Sequence, residues 1–159
     1  MPKILNGEEV LEMACQIERD GRAFYERAAS FQPEGPARSL LEDLAAMEKD
    51  HERFFESLKS RQRDFGNALT GHEDIDRYLD AAVAGSIFPP NPVANLSKAT
   101  TMRTILETAL QREKDTVVFY TAMREAVPHD LGRETLERII REEVGHVAML
   151  AGAIRDLDK

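Results

Sequence analysis

In four stretches of this chain the apolar stripe of an amphipathic helix is broken near its middle by a glutamate. Read in alternating steps of three and four residues, the first stripe is Leu11, Ala14, Glu18, Gly21, Tyr25 and Ala28. The second is Leu41, Leu44, Glu48, His51, Phe55 and Leu58. The third is Leu106, Ala109, Glu113, Thr116, Tyr120 and Met123, and the fourth is Leu136, Ile139, Glu143, His146, Leu150 and Ala153. A stripe of this kind faces a core, and an ionised carboxylate in a core is costly unless its charge is compensated. Four carboxylates brought together also repel one another. No stripe carries a Lys or Arg to pair with them, so the compensating charge must come from outside the chain.

Metal ions are the natural source. Two of the stripes place a histidine three residues after the glutamate, Glu48 with His51 and Glu143 with His146, a spacing that puts both side chains on one helix face. Four carboxylates and two neutral imidazoles balance two divalent cations in formal charge. One Glu from each of two helices with Glu-x-x-His from the other two is the ligand set of di-iron carboxylate bundles. A single Glu-x-x-His on a helix is common and says little. Two copies, each 30 residues after a further stripe glutamate (Glu18 to Glu48, Glu113 to Glu143), are far more specific. Glu18, Glu48, His51, Glu113, Glu143 and His146 are therefore the candidate metal ligands. Mixed oxygen and nitrogen donors suit iron or manganese, and zinc would bind as well. The alternative is a metal-free helical bundle.

The stripes define four long helices, about 7–30, 36–65, 100–127 and 131–157. Asn6 offers an N-cap to the first, Pro33, Gly35 and Pro36 end it, and Pro128 stops the third. Nothing alternates with period two over a useful length, so the class is all-α. Between the second and third helices runs a connection of about 66–99. It holds one short amphipathic piece, 73–84, followed by Ile87-Phe88-Pro89-Pro90-Asn91-Pro92, where the prolines exclude a continuous helix. Helices of ~25 residues are roughly 38 Å long. A connection of this length can run the height of a bundle and start the third helix at the far end. The expectation is a four-helix bundle with a long crossover connection containing a short extra helix, forming one domain over 1–159. An offset of 95 residues carries Leu11, Glu12, Ala14, Gln16, Glu18, Asp20, Phe24 and Tyr25 onto Leu106, Glu107, Ala109, Gln111, Glu113, Asp115, Phe119 and Tyr120. The same offset carries Leu41, Glu42, Glu48 and His51 onto Leu136, Glu137, Glu143 and His146. Heptads alone would match apolar positions but not Glu, His and Tyr, which points to an internal duplication of about 7–65 and 100–157.

Composition narrows the function further. A formal net charge of -8 argues against a nucleic-acid partner. One cysteine, Cys15, makes neither an internal disulfide nor a rubredoxin-type iron site. No apolar run approaches a membrane span, and residues 1–7 show no signal pattern, so the cytoplasm is the expected location. Tyr25 and Tyr120 follow the stripe glutamates by seven residues, two helical turns along the same stripe. Their hydroxyls could bond ligand carboxylates on neighbouring helices or serve only as aromatic core with the hydroxyl satisfied locally. Phe24, Phe54, Phe55 and Phe119 read as core, Cys15 as packing, and His72, His129, Asp20 and Asp115 as solvated.

At these residues the sequence resembles the rubrerythrin branch of the ferritin-like superfamily, over all four helices. The resemblance implies Glu18 and Glu113 as terminal carboxylates, one per metal, Glu48 and Glu143 as bridging carboxylates, and His51 and His146 as terminal nitrogen ligands. It implies reduction of hydrogen peroxide or dioxygen at a di-iron centre recharged by an electron donor. Rubrerythrins proper carry a C-terminal rubredoxin domain, whose four cysteines do not occur in this sequence, so the donor is expected to be a separate protein such as a rubredoxin. They also carry an extra carboxylate one turn after the third-helix ligand, where this chain has Thr116. Bacterioferritins share the six ligands and place a haem-binding Met directly after the second-helix Glu; Lys49 stands there, so no haem is expected. The runner-up function is ferroxidase activity, iron handling or storage. A homodimer is the expected assembly, and the long connection could let halves swap between chains.

Overall fold

The computed structural model describes residues 5–61 and 70–159. Within them the elements are α1 (Gly7–Ser30), α2 (Pro36–Lys59), α3 (Glu73–Val83), α4 (Met102–Ala126) and α5 (Arg133–Asp156), with a single 3-10 turn at His129–Leu131 and no strand. The ends follow local chemistry. At α1 the Asn6 side chain accepts from the Glu9 backbone N–H at 2.9 Å and Glu9 reaches back to the Asn6 N–H, a reciprocal capping box. Pro36 opens α2 at a position that needs no N–H donor. Thr101 caps α4 through the Thr104 N–H at 3.2 Å, and Val127, held extended before Pro128, closes it.

The end of α2 and the start of α5 differ from the sequence expectation in ways the local chemistry explains. Helix α2 stops at Lys59: the Arg61 N–H bonds the Leu58 carbonyl in a tightened final turn, and the Ser60 hydroxyl takes the Ser57 carbonyl. The rest of the expected extension, 62–65, lies outside the described residues. Helix α5 begins two residues later than expected because Gly132 has φ 101°, a left-handed conformation that breaks the chain direction after Leu131.

Side-chain partners give the helix directions. Glu12 meets Lys59 and Arg19 meets Glu52 and Glu56, so α1 and α2 run antiparallel. Tyr25 meets Glu113 and Tyr120 meets Glu18, so α1 and α4 also run antiparallel. His51 meets Glu142 while His146 meets Met47, which makes α2 and α5 antiparallel. Hence α2 and α4 are parallel, and the connection must return the chain across the full height of the bundle. It does so along the α1–α4 side. Leu79 and Ala82 of α3 are buried in the same apolar cluster as the start of α1 and the end of α4. The chain then passes Phe88, whose ring stands edge-on to Phe119 at 6.0 Å, and continues past Phe24, Thr108 and Thr104 to Leu96 and Thr100. This is a four-helix bundle with a crossover that contains one short extra helix.

The core is divided in two. One apolar cluster holds Leu11, Phe55, Leu79, Phe119, Met123 and Leu136. The other holds Phe24, Leu41, Leu44, Ile105, Leu106 and Leu150. Among the described residues the buried charged side chains, Glu18, Glu48, His51, Glu113, Glu143 and His146, come from the four stripe segments between these clusters, together with Thr116.

Candidate metal centre

Each long helix contributes the middle of its stripe to this polar layer, and the apolar residues on either side bury it. The structure brings all six candidate residues together. One ligand atom from each of Glu18, Glu48, His51 and Glu143 lies within 4.8 Å of the others, and the same holds for Glu48, Glu113, Glu143 and His146. The two groups share Glu48 and Glu143 and differ in one Glu and one His each.

The donor atoms converge without bonding one another. His51 Nδ1 lies 2.8 Å from Glu143 Oε1 and 3.7 Å from Glu18 Oε2. His146 Nδ1 lies 2.8 Å from Glu143 Oε2, 3.7 Å from Glu113 Oε1 and 3.9 Å from Glu48 Oε1. None of these approaches has hydrogen-bond direction. Glu18 Oε2, Glu48 Oε1, both Glu143 oxygens and both Nδ1 atoms are buried with no hydrogen-bond partner. Six orphaned polar atoms in one buried layer would be severely unfavourable in a finished core. They fit an arrangement in which lone pairs point at shared cations.

The outer contacts orient the donors. Tyr25 of α1 donates its hydroxyl to Glu113 of α4, and Tyr120 of α4 donates to Glu18 of α1. Both hydroxyls are buried, so of the two alternatives the carboxylate contact is the one made. On the opposite side, His51 Nε2 lies 2.8 Å from Glu142 Oε2, and His146 Nε2 lies 3.0 Å from Met47 Sδ. Both partners are acceptors, so in a neutral imidazole the proton sits on Nε2 and the Nδ1 lone pair faces inward.

Electrostatics show what the layer needs. Burial, then the neighbouring carboxylates, pushes Glu48 well above the usual carboxylate range. Burial also lifts Glu18 well above it, against relief from Glu48 and Tyr120. Burial outweighs His146 and raises Glu113 to about 7. Burial opposes ionisation of Glu143 too, but His146 and His51 overcome it and hold this group at about 2. Burial works against charge on the imidazoles, yet Glu143 and Glu142 raise His51 to about 9, while Glu113 and Glu143 raise His146 to about 10. Positive charge is in demand here, and protons or metal ions can meet it.

The rubrerythrin family model matches residues 8–88, just over half of the chain. The chain belongs to the rubrerythrin family. The match spans α1, α2 and α3 and stops before α4. Among solved structures, a protein of Thermotoga maritima described as a ferritin-like diiron-carboxylate protein superposes with a TM-score of 0.75 at 20% identity, covering 98% of each chain. At that identity the likeness establishes the ferritin-like fold. No curated protein matches the chain. No described helix is long and apolar enough to cross a membrane.

Three contributors to this site were not picked out from the sequence. A Cβ at Gly21 would lie 2.9 Å from Glu48 Oε2, so the missing side chain is the space that the Glu48 carboxylate fills. The matched position 95 residues on is the buried Thr116. Glu142 and Met47, the two histidine partners, are also 95 residues apart and each directly precedes a stripe glutamate. Their position next to a ligand was the available signal, but their unlike chemistry hid the match. Of the remaining candidates, Phe24, Phe55, Phe119 and Cys15 are core, Phe54 is half-buried, and His72 and His129 are exposed. The matched Asp20 and Asp115 accept from Gln16 and Gln111, at 2.7 and 3.0 Å, on the helix surface.

Proposed function

We propose that this chain is a non-haem di-iron oxidoreductase that reduces hydrogen peroxide or dioxygen with electrons from a separate donor protein. The observation that carries the proposal is the layer of six buried donor side chains, five of which hold buried polar atoms with no hydrogen-bond partner, in a chain of the rubrerythrin family. Glu18 and His51 would hold one ion, Glu113 and His146 the other, and Glu48 and Glu143 would span both. Iron at these positions would supply the electrons that reduce the oxidant.

The chain's own residues do the rest. The Tyr25 and Tyr120 hydroxyls hold one oxygen each of Glu113 and Glu18. Their acidities are suppressed, first by burial and then by the carboxylates they face, so they remain proton-bearing donors. The apolar clusters on either side exclude water and strengthen every charge interaction in the layer. Exposed Met47, Val118, Val144, Met149 and Leu157 are apolar surface consistent with the homodimer we expect.

The test is to load the protein anaerobically with ferrous iron and mix it with peroxide or dioxygen, following the near-ultraviolet absorption. The proposal expects one peroxide to oxidise two ferrous ions within seconds, with two protons consumed and two waters formed, and reduced rubredoxin to restore the ferrous state. Oxidation no faster than that of free ferrous iron would contradict it. Thr116 supports a second reading, ferroxidase or iron handling. It is buried where rubrerythrins proper carry a further carboxylate, leaving only the six donors that bacterioferritins share. Uptake of iron well beyond two ions per chain, in a cage-sized assembly, would favour that reading.

A further inference from the structure

The two halves supply matching inner donors but unlike partners for their histidines. His51 Nε2 meets the carboxylate of Glu142 at 2.8 Å; His146 Nε2 meets the thioether of Met47 at 3.0 Å. The other hydrogen bonds to the terminal ligands are paired, Tyr120 on Glu18 and Tyr25 on Glu113, and Glu143 lies 2.8 Å from each Nδ1. The histidine partners are thus the difference that reaches the terminal ligands by hydrogen bonds.

We propose that the two metal positions are inequivalent, and that Glu142 and Met47 set their order of filling, with the position at His51 filling first and more tightly. This rests on the metal centre argued above. A carboxylate accepting from Nε2–H fixes the ring orientation and makes Nδ1 a stronger donor, and losing such a partner typically lowers metal affinity about 10- to 100-fold. A thioether is a weak acceptor and carries no charge. It leaves His146 less firmly aimed and adds nothing to the basicity of its Nδ1. Glu142 is 43% exposed, so water screens part of its effect. The expected gap is therefore at the lower end, about tenfold. Glu142 and Met47 act as positioning residues, since each works through a histidine. Both lie at the rim of the α2–α5 face, with Met47 42% exposed, so each can be replaced without opening the core.

The experiment is an anaerobic cobalt(II) titration of the full chain, read by calorimetry and by the visible cobalt bands, with no activity assay involved. The wild type should take up two ions in two resolved steps, about tenfold apart. Glu142→Met should weaken the first step about tenfold and merge the two, and Glu142→Gln, which keeps an acceptor oxygen, should fall between. Met47→Glu should strengthen the second step. His146→Ala should retain the tight step and His51→Ala the weak one. Two ions bound in the wild type with equal affinity, or a Glu142→Met titration that matches the wild type, would overturn the inference while leaving the metal centre standing. No cobalt binding at all would overturn the metal centre itself, and the inference with it.

Discussion

The α1–α2 pair and the α4–α5 pair present the same set of acidic, histidine and tyrosine side chains to the buried layer and different ion pairs to the outside. Inward, each pair offers two glutamates, one histidine and one tyrosine. Outward, α1 and α2 are tied by charge: Arg19 reaches Glu12, Glu52 and Glu56, Arg22 reaches Glu52 at 2.9 Å, and Lys59 reaches Glu12. At the positions 95 residues on, Glu52, Glu56 and Lys59 become Val147, Ala151 and Ile154, and Arg19 becomes Lys114. At the layer Glu18, Tyr25, Glu48 and His51 all keep their counterparts, whereas on the surface the Gln16–Asp20 pair recurs as Gln111–Asp115 and the Arg19 network does not recur. Six donors around a shared volume constrain one another's position and charge. A helix surface is bound by no such condition, because exposed ion pairs contribute only about 0–1 kcal/mol.

Replacing one ligand should separate the two roles most sharply. Glu113→Leu removes a donor from one position only, so the chain should bind one ion instead of two. The metal-free protein should lose about 1–3 kcal/mol, because the buried Tyr25 hydroxyl is left without its acceptor. Metal analysis and denaturant unfolding in chelator check both halves of this expectation, and a variant that still binds two ions would break it. Glu143→Leu, at a shared carboxylate, should instead weaken both positions.

The Gly21 and Thr116 pair comes next. Gly21→Ala drives a methyl group into the Glu48 carboxylate, 2.9 Å from Oε2, and should weaken metal binding about 10- to 100-fold, as disturbed support of a ligand does. Thr116→Ala, at the matched position, should leave binding within a few-fold of wild type. Equal effects in a competition titration would show that the two halves hold their shared carboxylates alike. The tyrosines should behave as a symmetrical control. Tyr25→Phe and Tyr120→Phe each strand a buried carboxylate oxygen and should cost about 1–3 kcal/mol in chemical unfolding. A cost for only one of them would show that the reciprocal arrangement is not shared equally. The smallest difference should come from the outer surface. Arg19→Met should cost about 0.5–1 kcal/mol, falling with added salt, and Lys114→Met should cost almost nothing.

Much of this molecule was legible in the sequence because its strongest pattern is also its strongest physical anomaly. A glutamate in each apolar stripe marks helix, face and site together, so the helix order and the six converging side chains could be read from spacing. The Glu73–Val83 helix was legible from its short amphipathic period. The end of α2 was not, because the hydrogen bonds that close it involve Ser57, Leu58 and Ser60, which carry no breaker residue. Gly21 stood in the first stripe with no role assigned, since the close approach that requires it is made by a different helix. Glu142 and Met47 were missed for a similar reason. Each lies just off its own helix's stripe and acts only on the facing helix, and neighbours across a bundle cannot be read from spacing along one strand of sequence. Burial also explains the thiol: Cys15 is fully buried, which together with Glu56 pushes it up to about 12, so it should resist alkylation at pH 8 in the folded protein.

The most direct test of the centre is an anomalous diffraction map from crystals soaked anaerobically in ferrous iron. The account predicts two peaks inside the bundle, one beside His51 Nδ1 and one beside His146 Nδ1, with Glu48 and Glu143 contacting both. A single peak, no peak, or iron only at surface carboxylates would contradict it.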